Sequence, residues 1–321
     1  TIITWTFTDL AGLTTVCTQT VTVEDQTPPQ AICQDISVDL DATGNASITP
    51  AQVDNGSNDA CGIASLSLNV STFTCADIGF ATDLIISEYI EGTSNNKAIE
   101  IFNGTGVAVN LSNYELFIYR NGGTSTTTLE LSGTLQHGGV FVFANPSANA
   151  AILAKADATS GNINFNGDDA VALRLAGGGA FVDIFGQIGT DPGTAWTAGG
   201  LSTLDRTLRR KRTVKSGVTT NPPNGQFPTL ATEWIGFPVD NSDNLGSHGL
   251  AGTVPVTLTV TDVNGNTNTC TANVTVDDVT PPVTPTLAPL PGECSVTATA
   301  PPPTAACAGT VPAAPPAPLT Y

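Results

Sequence analysis

Six of the chain's ten cations, Arg206, Arg209, Arg210, Lys211, Arg212 and Lys215, fall in the single run RTLRRKRTVK. Charge at that density could dock the phosphates of extracellular DNA or an acidic polysaccharide. In an extended strand, however, Arg210 and Arg212 project from the face opposite to Arg209 and Lys211. A strand charged on both faces is expected at a protected sheet edge or in a loop. Paired acids offer a second chemistry. Glu24-Asp25 and Asp277-Asp278 stand just before two Thr-Pro-Pro triplets. Adjacent like charges at a module junction cost energy unless solvated or bridged. Calcium, a hard cation seeking about six to eight oxygens, would bridge them and stiffen the joint. Weaker sets of the same kind are Asp54, Asn55, Ser57 and Asp59, and Asn166, Asp168 and Asp169.

Catalytic chemistry finds less support. His137 and His248 stand in the turns QHGG and GSHG without a serine or cysteine partner nearby in the sequence, so no enzyme site is expected. Glu88, Glu91 and Glu100 could form an acid pair or a metal cluster. Glu88 and Glu91 face opposite ways in a strand, which favours solvated positions or hydrogen-bonding partners of loops. The seven cysteines include no CxxC, and neither histidine lies near one, which argues against zinc and for disulfides in an oxidising, extracellular setting. Of the possible pairings, Cys33–Cys270, Cys61–Cys75 and Cys294–Cys307 are expected, leaving Cys17 over.

The elements that must position these residues are written twice. Ile3–Pro29 matches Val256–Pro282 without a gap at an offset of 253 residues, with 15 of 27 positions identical, among them Asp9/Asp262, Gly12/Gly265 and Cys17/Cys270. Each copy reads as two strands of alternating Thr, Val and Ile around a glycine turn, ending at a Pro-Pro linker. Asp262-Val263-Asn264-Gly265-Asn266 has the spacing of a calcium loop. Its earlier copy has Ala11 and Leu13 at the ligand positions, so Asp9 and Asp262 are expected to be turn residues bonding backbone N–H groups.

Composition shifts between 80 and 252. All cations lie there, ten against 15 acids for a charge of −5, while the flanks carry 13 acids and no cation, −13. Removing 80–252 shortens the repeat to 80 residues, the size of one sandwich. The expected organisation is therefore residues 1–26, the C-terminal part of one repeat; 27–79 plus 253–279, a complete discontinuous repeat; 80–252, an inserted domain; and 280–321, the start of another repeat. Thr1 falls inside a strand without sheet partners before it, so the sequence is expected to be a window on a longer chain or to be completed by a neighbouring molecule. No apolar run is long enough to span a membrane.

The TPP linker, the VDNGSNDACG turn and the TDxxG closing hairpin resemble hyalin-type (HYR) immunoglobulin-like repeats, found in tandem in giant surface adhesins of Bacteroidota, including SprB-type gliding adhesins exported by the type 9 secretion system. In the insert, ISEY, NNKAIEIFN, NLSNY, NGDDAVAL and GTDPGTAW occur in the order of a lamin tail domain, in the version found with secreted bacterial nucleases. These resemblances imply an all-β fold, tandem immunoglobulin-like β-sandwiches with a lamin-tail-like sandwich inserted into one of them. They imply a segment of an extracellular fibre on a bacterial cell surface, whose partners are neighbouring repeats and a surface polysaccharide or other extracellular ligand. Nucleic acid is disfavoured by the net charge of −18. The alternative is a non-catalytic accessory region of a secreted nuclease or other hydrolase.

Overall fold

A computed structural model describes residues 1–279 apart from 125 and 224, together with 304–305, 307 and 309–310. Cys294 and most of the segment 280–321 lie outside the described residues. Thr- and Val-rich runs form short strands, and the described helices are single turns such as Pro50–Val53 and Ala150–Leu153. The fold is all-β. It divides into two compact units, one of Thr1–Val38, Ser47–Thr72 and Val254–Thr275, the other of Asp39–Ala46, Phe73–Thr253 and Val276–Tyr321.

In the first unit, Ile2–Thr8 and Thr14–Thr20 form an antiparallel hairpin, Trp5 opposite Cys17. A four-stranded sheet follows the order Ile36–Asp39, Thr267–Asp277, Ala251–Asp262, Ile63–Leu68. Leu66 is paired with Val260 and Leu68 with Leu258, antiparallel, so segments from before and after residues 80–252 share one sheet. Val256, Leu258, Val260 and Val274 alternate inward and are fully buried. Cys33 and Cys270 are bridged across the same sheet. The glycine turns repeat: Asp9 accepts from the N–H groups of Ala11 and Leu13, and Asp262 from those of Asn264 and Asn266. Gly12 and Gly265 hold φ of +84° and +93°, which glycine adopts without strain.

The second unit contains a sandwich. One sheet orders Ala158–Thr159, Val140–Ala144, Lys97–Phe102, Ile85–Glu91, Arg206–Arg210 and Trp234–Phe237; the other orders Thr126–Glu130, Tyr114–Tyr119, Ala170–Leu175 and Phe181–Phe185. Between them lies a core that includes Tyr89, Ile99, Ile101, Leu116, Ile118, Val171, Leu173 and Leu208. Tyr89 stacks on Phe165 and Phe185, and Phe185 meets the ring of Trp234 edge-on. The opposite face of the six-stranded sheet is covered as well, where Ile90, Ala98, Val142 and Ala144 pack with Ile152 and Leu245. Every residue of Ile85–Glu91 and Lys97–Phe102 is therefore buried. Alternation alone would have placed one face in water.

Candidate functional site

The basic run does not form a sheet edge, and only its second half, from Lys211, lies in a turn and loop. Arg206–Arg210 is an interior strand, antiparallel to Ile85–Glu91 on one side and to Trp234–Phe237 on the other. Its cations are engaged from within. Arg209 places Nε 2.9 Å from Glu88, lies 4.1 Å over the ring of Phe237 and donates to Asn241. Arg210, 2% exposed, reaches Asp183 at 2.9 Å and Glu233 at 2.6 Å, with Trp234 beneath it. Lys211 Nζ donates to the carbonyl of Thr232, and Arg212 to Asp277 and to the carbonyl of Asp278, each at 2.6 Å. Arg206 is exposed and Lys215 half-buried. Most of the run's charge is met from within, where a docking surface would leave it free. Four of its six cations are committed to internal partners, and freeing one from a buried carboxylate would cost about 3–5 kcal/mol.

The glutamates are not solvated; Glu91 and Glu100 are hydrogen-bonding partners of loops, accepting from the Asp205 and Gly246 N–H groups. Glu88, Glu91 and Glu100 are all buried. Glu88 and Glu100 are cross-strand neighbours, and Arg209 opposes Glu88 on the other side, so the three form one row across the sheet. Ser87 and the Gly246 N–H donate to Glu100, while Glu91 is clamped by Lys97. Burial pushes the Glu88 carboxyl up to about 7, against the pull of Arg209, with Glu100 adding to the rise. Burial raises Glu100 also. Glu88 Oε1 is buried without a hydrogen-bond partner. The row forms a polar seam between the sheet and the loop carrying Asn241 and Gly246.

The linker acids part company. Asp25 lies with Asp59 and Cys61, their ligand atoms within 4.8 Å of one another. Hydrogen bonds from the Thr27 N–H, from Cys61 and from Asn264 hold the Asp25 carboxyl below its usual range. Two carboxylates and a thiol fall short of the oxygen-rich shell calcium takes, and thiolate is the softer ligand. Asp277 faces Arg212 instead, so a cation supplied by the chain already answers the repulsion expected at Asp277-Asp278. Glu24 makes a long contact with Gln26 at 3.4 Å.

Cys75 bonds to Cys307, not to Cys61, and Cys61 and Cys17 are free and exposed. The expected Cys61–Cys75 pair is thus replaced. Asp25 accepts from the Cys61 thiol, which that hydrogen bond and the charge of Asp25 push up. His248 is half-buried, edge-on against Phe102 with its Nε2 enclosed, and that loss of hydration pushes it down to about 3. His137 Nδ1 accepts from the Gly106 N–H. The links between Arg210 and Asp183, between Arg212 and Asp277, and between Cys75 and Cys307 join positions far apart in sequence. No local spacing signals them.

Two facing sheets around one apolar core, antiparallel but for the parallel pair Val140–Ala144 and Ala158–Thr159, define an immunoglobulin-like β-sandwich. Residues 81–189 match the family model of the Lamin Tail Domain, a non-catalytic module of this kind. The match takes in the whole four-stranded sheet but ends before Arg206–Arg210 and Trp234–Phe237 complete the six-stranded one. No curated protein matches the chain.

Proposed function

We propose that this chain is a structural segment of a long extracellular repeat fibre on a bacterial cell surface, in which immunoglobulin-like repeats transmit tension and the lamin-tail-like module, residues 80–252, makes ligand contact. The observation that carries this reading is the disulfide between Cys33 and Cys270, 237 residues apart, around a sheet built from both sides of the insert. Tension applied beyond both cysteines passes through the bond. Residues 34–269 lie off that path, so a guest domain stays folded while the fibre is stretched. The match at residues 81–189 supports a binding or structural module in that position. The committed cations of Arg206–Lys215 direct the ligand contact elsewhere on the module, toward an uncharged or hydrogen-bonding surface of a polysaccharide.

Single-molecule stretching of the full chain between its ends tests this. With the disulfide intact, no length from 34–269 is released. After reduction the same segment yields about 80 nm, from roughly 3.3–3.6 Å per residue. Unfolding steps from the insert in the oxidised chain would contradict the proposal.

A further inference from the structure

The hairpin Ile2–Thr20 exposes a face that its own second copy buries. Ile3, Trp5 and Phe7 correspond at the 253-residue offset to Val256, Leu258 and Val260. The first three are exposed, Trp5 to 50% and Phe7 to 58%, and the latter three are fully buried. Val23 is 87% exposed where Val276 is fully buried. The registers are equivalent, since Asp9 N–H donates to the Leu13 carbonyl as Asp262 N–H donates to that of Asn266. Cys17 lies opposite Trp5 on the exposed face, free, while its counterpart Cys270 is bridged to Cys33. Both edges differ too. The second copy has Ile63–Leu68 along one edge and Ile36–Asp39 along the other, and among the described residues the sheet containing the first hairpin has only its own two strands.

We propose that this face docks the front half of an immunoglobulin-like repeat, a polypeptide that adds a strand to each hairpin edge and carries a cysteine that bonds to Cys17. The internal copy specifies the partner's chemistry. One strand alternates small polar and aliphatic residues, as IASLSL does at Ile63–Leu68. The other follows its cysteine by three residues, as Ile36 follows Cys33. Strand addition satisfies the open backbone edges, and the aliphatic side chains cover Trp5 and Phe7. Bond formation removes one proton from each thiol and two electrons in all. A small-molecule disulfide accepts them by exchange and leaves as two thiols. This inference stands on the internal copy and not on the fibre reading.

The test presents the oxidised full chain with a peptide of residues 27–79 of the same sequence, carrying C61S and C75S so that Cys33 is its one thiol, in a glutathione redox buffer. The expected product is a one-to-one adduct joining Cys17 to the peptide's Cys33, with Trp5 emission shifted to shorter wavelength. Docking raises the effective thiol concentration, so the adduct should form at least about tenfold faster than with a scrambled peptide holding one cysteine. The variant F7S should slow it toward the scrambled rate. Equal rates for the two peptides, or an adduct distributed equally between Cys17 and the exposed Cys61, would overturn the proposal.

Discussion

Replacing Glu88 with glutamine should flatten the dependence of stability on pH above pH 5. The Glu88 carboxyl is 1% exposed, and burial raises it from 4.5 to about 7. A carboxyl raised in the folded state binds its proton more tightly there than in the unfolded chain. Its contribution is therefore fully present below pH 4.5 and is lost as pH rises through 7. Between pH 5 and pH 8 the linkage amounts to about 2–3 kcal/mol, at roughly 1.4 kcal/mol per pKa unit. The substitution deprives Arg209 of a carboxylate, but Phe237 and Asn241 still hold its guanidinium. Glu88 is a carboxylate beside Arg209 only above about pH 7, and that change is already part of the linkage, so the slope is the readout and the absolute level is not. Urea unfolding of the full chain at half-unit pH steps, followed by the buried Trp196 and Trp234 of the second unit, gives both curves. A variant curve parallel to the wild type from pH 5 to pH 8 would refute the assignment of that slope to Glu88.

Three further outcomes follow from the same geometry. His248, pushed down to about 3 by lost hydration, contributes stability present above pH 6.5 and lost as pH falls through 3; H248Q should move the acid-unfolding midpoint of the second unit to lower pH, and an unmoved midpoint would argue against a desolvated neutral imidazole. R212A and D277N should each cost about 2 kcal/mol, the range for a charge-assisted hydrogen bond, and a double-mutant cycle should show the pair coupled, with strict additivity counting against their contact. D262A removes a buried carboxylate that accepts from two backbone N–H groups and should cost about 1–2 kcal/mol. D9A, at the equivalent but exposed turn, should cost less, and equal thermal shifts would count against the difference in burial.

What could be read in advance was whatever the chain repeats or alternates. The 253-residue copy located both hairpins, and the substitution of Ala11 and Leu13 for Asn264 and Asn266 identified Asp262 as a turn residue from sequence alone. The all-β class followed from Thr/Val alternation and glycine turns. The long-range electrostatics could not be read. Alternation put Arg210 on the face opposite to Arg209 but could not show what covers it, because a single strand does not disclose that its sheet is covered on both sides. The covering groups, Asp183, Glu233 and Trp234 around Arg210, come from strands and turns distant in sequence. Glu88 looked solvated for the same reason. Cys75 was expected to pair with Cys61 and close the middle ribbon, yet its partner is Cys307, 232 residues away.

The central structural claim is that a strand before residue 80 and a strand after residue 252 are neighbours in one sheet. Interstrand nuclear Overhauser effects in the isotopically labelled full chain address it most directly. Cross-strand contacts between Ser65 and Thr261, Leu66 and Val260, and Ser67 and Thr259 are the expected result, given their paired register. Their absence, with Ile63–Leu68 and Ala251–Asp262 each contacting only strands from its own side of the insert, would contradict it.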